Sequence, residues 1–330
     1  MFAAIGRGRT FGMAARAAAL LAGLSMAAAP AVAADYPSRP VKLVVGYAPG
    51  GNTDLIARVF AGAMQQKIGQ PVLVENRPGA AAAIARELVA KAPGDGYTLI
   101  TDATSFAGYA VFTRTPTLDV QKAFVPISLL TESPGVLVAR SDAPFTSFQE
   151  MIAYAKSNPG RMNYGGIGAG VILLTFEAMK AQYGVDIMAV DYKSSAEDYR
   201  AVLAGEVHLT SSTVSRVAQD VANGKVRALA ISSATRHALL PSAPTSREVG
   251  FNGFYTSWQG LWAPAATPGD IVRTLYSAVA DAAASKDVRE SLERLEAIVI
   301  ASTPEALAQR QDKDIREWRE LVRKAGIPLQ

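Results

Sequence analysis

The sequence predicts an α/β protein built as two successive units, each a mainly parallel sheet flanked by helices. Three observations carry this. From Val41 onward, apolar runs of strand length alternate with segments of helical period. The alternation pauses after the strand-like run ending at Ala103 and resumes beyond Leu130. The chain has 330 residues, 49% of them hydrophobic, which is enough for two cores or one large one.

Each element follows from its local pattern. Val41–Tyr47 (VKLVVGY) is an apolar strand. The next segment places Ile56, Val59, Phe60 and Ala63 on one helical face. Pro71–Glu75 (PVLVE) is a second strand, and the NRPG turn after it opens a helix with Ile84 and Leu88 inside. Pro93–Gly96 (PGDG) turns the chain into a third strand, Tyr97–Ala103. A β-α-β-α-β order implies parallel pairing with right-handed crossovers. The second unit opens with the strand Gly135–Arg140 (GVLVAR). Ser147 and Glu150 have the spacing of a capping box and start a helix that runs to Ser157. MNYGGIGAG then leads to a helix around 172–183, the strand DIMAVDY, a helix around 196–203, the strand VHLTSS, a helix to Ala222 and the strand VRALAIS. The tail runs through LWAPAATPGDIVRTLYSAVADAAA and AIVIAS into a long amphipathic helix, Pro304–Lys324. Thr303 is its N-cap, and Gly326 with Pro328 stops it.

Residues 1–34 have the plan of a signal peptide. Arg7, Arg9 and Arg16 precede an Ala-rich apolar run, and APAVAA places cleavage near Ala33 or Ala34. The apolar run is short for a bilayer span of about 20 residues. Gly8 separates Arg7 from Arg9, so there is no adjacent arginine pair, which favours export of an unfolded chain with no cofactor loaded beforehand. The formal charge is +4. Without this segment Lys+Arg falls from 33 to 30 against 29 Asp+Glu, leaving +1, and no basic run interleaved with aromatics argues for nucleic acid. The chain has no cysteine, which excludes disulfides, thiol nucleophiles, zinc–thiolate sites and iron–sulfur clusters. The expectation is a soluble protein outside the cytoplasm.

Three turns leave the carboxyl ends of the first three strands: Ala48–Thr53, Asn76–Ala80 and Asp102–Phe106. Ligands of open α/β sheets sit outside such ends, and helix N-termini there favour anions. Gly50 and Gly51 let a ligand approach the backbone, Asn52 or Thr53 can cap the helix, and Asp54 adds local negative charge. Taken alone, the Pro-Gly-Gly is as well explained as a tight turn. GGIGAG (Gly165–Gly170) resembles part of a dinucleotide loop, with Asp191 about 20 residues on. Its G-x-G-x-G spacing and short polar strand argue against that; a glycine loop offering N–H groups to a carboxylate is the alternative. No catalytic residue, metal site or cofactor is predicted. His208 and His237 stand apart, His208 reads as structural, and there is no G-x-S-x-G elbow. Ser211, Ser212 and Thr213 are either hydrogen-bond donors to a ligand or a solvated turn.

Three stretches carry a family resemblance: DYPSRPVKLVVGYAPGGNTDLIARVFAGAMQQKIGQPVLVENRPG onward to YTLI, VDYKSSAEDYRAVLAGEVHL, and GKVRALAISSATRHALLPSAPTSREVGFNGFYTSWQGLWAPAATPGDIV. Together they resemble the substrate-binding proteins of tripartite tricarboxylate transporters, the TctC or Bug family, over essentially the whole chain after the signal. The resemblance implies a two-domain periplasmic binding protein of type II, with a ligand cleft between the domains. The domains would be 35–132 plus 258–330, and 133–257, with hinge crossings near Leu129–Gly135 and Phe254–Leu261. It implies a small organic carboxylate as ligand, membrane transporter subunits as partners, a periplasmic monomer, and no enzymatic activity. The contact residues it implies are Tyr47, Gly50, Gly51, Asn52, Thr53 and Asp54; Thr104, Ser105 and Phe106; Gly165, Gly166, Ile167, Gly168 and Ala169; and Tyr192 and Ser212.

The sequence departs from the family pattern in three places. Ile172–Leu174 stand where polar residues and a His are common; Asp191-Tyr192-Lys193-Ser194 replaces Pro-Tyr-Lys/Arg-Gly; and Ser212 stands in place of a common Asp. A less polar wall favours one carboxylate on an apolar or aromatic body over a citrate-like polyacid. A ligand-presenting sensor partner and an exported enzyme are the alternatives. Neighbouring genes for membrane subunits would separate transport from sensing, and an acid–base pair in the cleft would mark an enzyme.

Overall fold

The computed structural model describes residues 36–166, 170–192, 194–327 and 329. The expected signal peptide lies outside them. Residues from Arg39 onward form one compact unit containing two sheets. Among the described residues no helix is long and apolar enough to cross a membrane.

The first sheet has the order β11-β4-β10-β3-β1-β2. Its strands are β1 (Val41–Val45), β2 (Val72–Asn76), β3 (Thr98–Ala103), β4 (Phe124–Ser133), β10 (Ser257–Pro264) and β11 (Ile298–Val299). The second has the order β7-β6-β8-β5-β9. Its strands are β5 (Gly135–Arg140), β6 (Met162–Gly166), β7 (Ile187–Asp191), β8 (Leu209–Thr213) and β9 (Val226–Ile231). The helices are α1 (Asn52–Ile68), α2 (Ala83–Ala90), α3 (Ser105–Phe112), α4 (Val120–Ala123), α5 (Phe148–Ser157), α6 (Val171–Tyr183), α7 (Ser195–Ala204), α8 (Val214–Ala222), α9 (Gly269–Ala284), α10 (Lys286–Arg294) and α11 (Pro304–Ala325).

The α/β class holds, but both sheets are mixed rather than mainly parallel. β1 pairs in parallel with β2 and β3, whereas β10 runs antiparallel to β3 and β4. β6 pairs in parallel with β7 and β8, whereas β5 runs antiparallel to β8 and β9. The antiparallel half of the first sheet escapes the sequence pattern because β4 carries Pro126, which reads as a strand breaker. The structure sets Pro126 opposite Trp262 beside a register shift, where the missing N–H is tolerated. Helix α3 was equally hidden: SFAGYAVF is apolar on most faces and shows no 3.6-residue stripe.

Other expectations meet the structure closely. Ser147 Oγ caps α5 by accepting the Glu150 amide, while the Glu150 carboxylate returns to Thr146 rather than to Ser147. Thr303 caps α11, and Gly326 ends it with φ 64°, in the left-handed region. Helix α2 is turned the other way from its prediction: Ile84 is 53% exposed, while Arg86 faces inward with Ala82, Ala85 and Val89.

One apolar cluster joins Phe106, Trp258, Trp262 and Trp318 to Leu174 of α6. Phe106 stacks on Trp262 with ring centroids 4.1 Å apart. Two of the three buried indoles are satisfied, Trp258 Nε1 donating to Asp314 Oδ2 at 2.7 Å and Trp262 Nε1 to Gln311 Oε1 at 3.1 Å, while Trp318 Nε1 has no partner among the described residues. Leu174 lies in a helix over the second sheet, yet it is buried among side chains of the first. Leu174→Ala is therefore expected to cost about 3 kcal/mol, as a buried leucine truncation does, and to shift a single urea transition of the whole unit rather than split it.

Candidate functional site

The first candidate loop follows β1. A Cβ at Gly46 would lie 2.3 Å from the Cβ of Ala82, so only glycine lets these backbones approach. Ala80, Ala81 and Ala82 all have positive φ, at 46°, 50° and 70°. Such backbone costs roughly 1–2 kcal/mol per non-glycine residue. Gly50 also lies in the left-handed region, with φ 80°.

The donors of this loop are largely engaged within it. Gly51 is the N-cap of α1 with no side-chain cap, so neither Asn52 nor Thr53 performs the capping expected of them. Asp54 is buried, and its Oδ2 accepts the Gly50 amide at 2.9 Å and Arg58 Nε at 3.0 Å. Its Oδ1 accepts Asn76 Nδ2 at 2.8 Å, and the same amide group reaches Tyr47 O at 3.0 Å. Gly51 N donates to Ala48 O at 3.3 Å. Burial pushes the Asp54 carboxyl up, but the bonds from Arg58, Gly50 and Asn76 outweigh it and hold the group below its ordinary range. The glycine amides thus brace the loop.

Beneath this loop lies a buried ion pair. Arg86 Nε donates to Asp102 Oδ2 at 2.6 Å, with the two side chains 1% and 0% exposed. Asp102 Oδ1 accepts Tyr47 Oη at 3.0 Å and Ser105 Oγ at 2.9 Å, and the two hydroxyls touch each other. Arg86 Nη2 reaches Ser105 Oγ at 3.1 Å. The guanidinium sits 5.1 Å from the Tyr109 ring centroid, and its Nη1 is buried without a hydrogen-bond partner among the described residues. Burial first, then the Asp102 charge, pushes the Tyr47 phenol far above its ordinary range, so it stays protonated. Of the predicted residues, Tyr47 and Ser105 are brought together here with their hydroxyls turned into the network. Thr104 is buried, its hydroxyl 3.5 Å from that of Ser257. Phe106 belongs to the core instead.

The second candidate loop follows β6. Gly165 and Gly166 are buried at its carboxyl end, while Ile167, Gly168 and Ala169 lie outside the described residues. A Cβ at Gly165 would meet the Asp198 Cβ at 3.1 Å and the Tyr192 ring at 3.3 Å. Thr210 Oγ1 shares its proton between Gly165 O at 3.1 Å and Asp198 Oδ2 at 3.2 Å. Asp198 is fully buried, and burial raises its carboxyl to about 6 against the pull of Thr210. Tyr192 Oη reaches Glu206 Oε2 at 3.4 Å, and Ser212 is half-buried opposite Val136 on β5. Ile172 and Leu173 are half-buried at the start of α6, whereas Leu174, expected on a pocket wall, is in the core. His208 Nδ1 lies 2.6 Å from Asn163 Oδ1, tying β8 to β6 as a structural histidine would.

Sequence reasoning placed Asn76 and Asp102 at the candidate turns without giving either a role, and missed Arg86 and Asp198. Asp102 carried a signal, a single carboxylate closing an otherwise apolar strand. Arg86 was masked by Ile84 and Leu88, which supply a competing apolar face to the same helix. Three cavities, of about 470, 700 and 820 Å³, are lined by residues other than the predicted contacts.

Two outcomes follow. Arg86→Met leaves Asp102 as a buried unpaired charge and is expected to cost about 3–5 kcal/mol in chemical denaturation. Adding Asp102→Asn to it should recover much of that loss, a coupling that a double-mutant cycle reads directly. For Asp198 the folded state holds its proton more tightly than the unfolded chain does. Its contribution is therefore present at low pH and is lost as pH rises toward about 6. Asp198→Asn should match wild type near pH 4 and exceed it by about 2–3 kcal/mol near pH 8, measured by denaturation across pH.

The geometry can be set beside known proteins. The profile of the tripartite tricarboxylate transporter family receptor matches residues 56–327. BugT of Bordetella pertussis is 33% identical over 307 residues, covering 92% of this chain and 94% of BugT. The structure of MatC from Rhodopseudomonas palustris with bound malate has a TM-score of 0.70 and 33% identity, over 87% of this chain and all of that one. R. palustris Rpa4515 with adipate has a TM-score of 0.73 and 32% identity, over 89% and 99%. The structural neighbours are type II periplasmic binding proteins. The chain therefore belongs to the tripartite tricarboxylate transporter receptor family, the TctC or Bug solute-binding proteins.

Proposed function

We propose that this receptor captures a small organic carboxylate outside the cytoplasm and presents it to the membrane subunits of a tripartite tricarboxylate transporter. The observation that carries this reading is that two structures about a third identical to this chain over most of its length hold malate and adipate. The local chemistry agrees. Arg86 keeps a buried Nη1 without a partner among the described residues, beside two hydroxyls at the carboxyl end of the first sheet. Gly165 and Gly166 offer backbone without side chains at the corresponding end of β6.

In this reading the ligand is held by the segment 47–54 with Thr104 and Ser105 on one side. Gly165–Ala169, Tyr192 and Ser212 hold it on the other. The strands support two closing halves, 35–132 with 258–330 and 133–257, because β1–β4, β10 and β11 build one sheet and β5–β9 the other. Binding then selects a closed arrangement, and no bond is made or broken. A thermal-shift screen of the chain from Asp35 onward tests this against mono-, di- and tricarboxylates, aromatic acids, amino acids, sugars and NAD. An acid at 100 times its Kd should stabilise the protein by about 2.7 kcal/mol. A response to sugars or NAD with none to acids would overturn the reading.

A further inference from the structure

Asp198 sits in the first turn of α7 with its side chain out of solvent. Its Oδ2 takes a hydrogen bond from Thr210 Oγ1, and its Oδ1 is buried with no partner among the described residues. The Asp198 side chain stands beside Gly165 at the end of β6, because its Cβ would contact any Cβ placed on that glycine. The Thr210 hydroxyl that relieves it is shared with the Gly165 carbonyl, so the strand end and the carboxyl compete for one proton.

We propose that Asp198 sets the charge that this jaw accepts: an acid anion seated against Gly165 and Gly166 binds together with a proton taken up by the Asp198 carboxyl. The inference rests on the carboxylate reading above. A charged carboxylate with one unpaired oxygen is costly inside a protein, and a second negative charge brought to the same strand end adds repulsion that little water screens. Protonation removes that repulsion. The new O–H bond forms on a carboxylate oxygen with a proton from solvent, so each site that is ionised before binding takes up at most one proton as the anion binds.

The described titratable groups around Asp198 are mostly acids and phenols, and the Tyr199 amide and Thr210 hydroxyl are the donors that favour its charged form. Arg216 of α8 is the cation whose field favours the charged form. Tyr192, after β7, is held above its ordinary range by burial, by Glu206 and by Asp198 itself. Tyr164 on β6 is raised by burial, with Glu177 and Asp191 adding negative charge. Glu197 and Tyr199 flank Asp198 on α7, and the Tyr199 hydroxyl is turned to Asp220. On β8, His208 is held low by burial and by Arg140 of β5, which is itself paired with Asp142. Burial raises Asp198 to about 6, so the titration falls within an ordinary working range.

Isothermal titration with malate and with adipate tests this, on wild type and Asp198→Asn, at about pH 6 and about pH 8. Wild type is expected to bind about tenfold more weakly at the higher pH, and to take up a proton, seen as a heat that changes with the ionisation enthalpy of the buffer. Asp198→Asn should lose both the pH dependence and the proton uptake, and should bind about tenfold tighter than wild type at the higher pH. The buffer comparison on wild type stands even where the variant folds poorly. Wild-type binding that is independent of pH and buffer, or a variant that keeps the dependence, overturns the proposal and leaves the carboxylate reading intact. Absence of binding by both proteins at both pH values removes the required anion and overturns the proposal together with that reading for these acids.

Discussion

The buried pair of Arg86 and Asp102 governs what the carboxyl end of the first sheet can present. A carboxylate at the end of β3 with no access to water must have a cation and donors around it. Arg86 answers from α2, and that fixes which face of the helix turns inward. Tyr47, just after the neighbouring strand β1, and Ser105, at the start of α3, are then drawn to the same carboxylate. The loop after β1 is therefore stiffened from beneath. Its geometry depends on a charge pair that a ligand need not touch.

A second restraint works from the opposite side. Helix α11 lays Trp318, Gln311 and Asp314 against the indoles of β10, and Leu174 of α6 enters the same cluster. The two sheets are thus joined by shared apolar packing as well as by the chain segments that pass between them. Any relative movement of the halves has to preserve this packing or rearrange it, since packed interiors tend toward discrete arrangements rather than continuous deformation.

The legible part of the sequence was the part controlled by local pattern. β1, β2 and β3, the Ser147 and Thr303 caps, and the glycine-terminated final helix follow from periodicity and capping chemistry. What escaped was set by distant partners. Pro126 sits in a long strand because a register shift opposite Trp262 accommodates it. Ile84 and Leu88 face outward because the burial of Arg86 beside Asp102 outweighs the apolar stripe. At the site, the glycines at positions 50, 51, 165 and 166 announced loops, but not that the Asp54 carboxylate and the Ala48 carbonyl already hold two of their amides. Asp198 was invisible for the same reason. An aspartate near a helix start reads as a solvated dipole partner, and only the packing of α7 on β6 and β8 removes it from water.

The three left-handed alanines at 80–82 bear on the order of folding. A run of alanine with positive φ is disfavoured in a free chain, so this turn has no local tendency to nucleate. What holds it is tertiary: the close approach at Gly46, and α2 drawn inward by its arginine. The strands on either side must therefore be in register before the turn can close, which makes this corner a late-forming region whose contacts act mainly on the rate of unfolding.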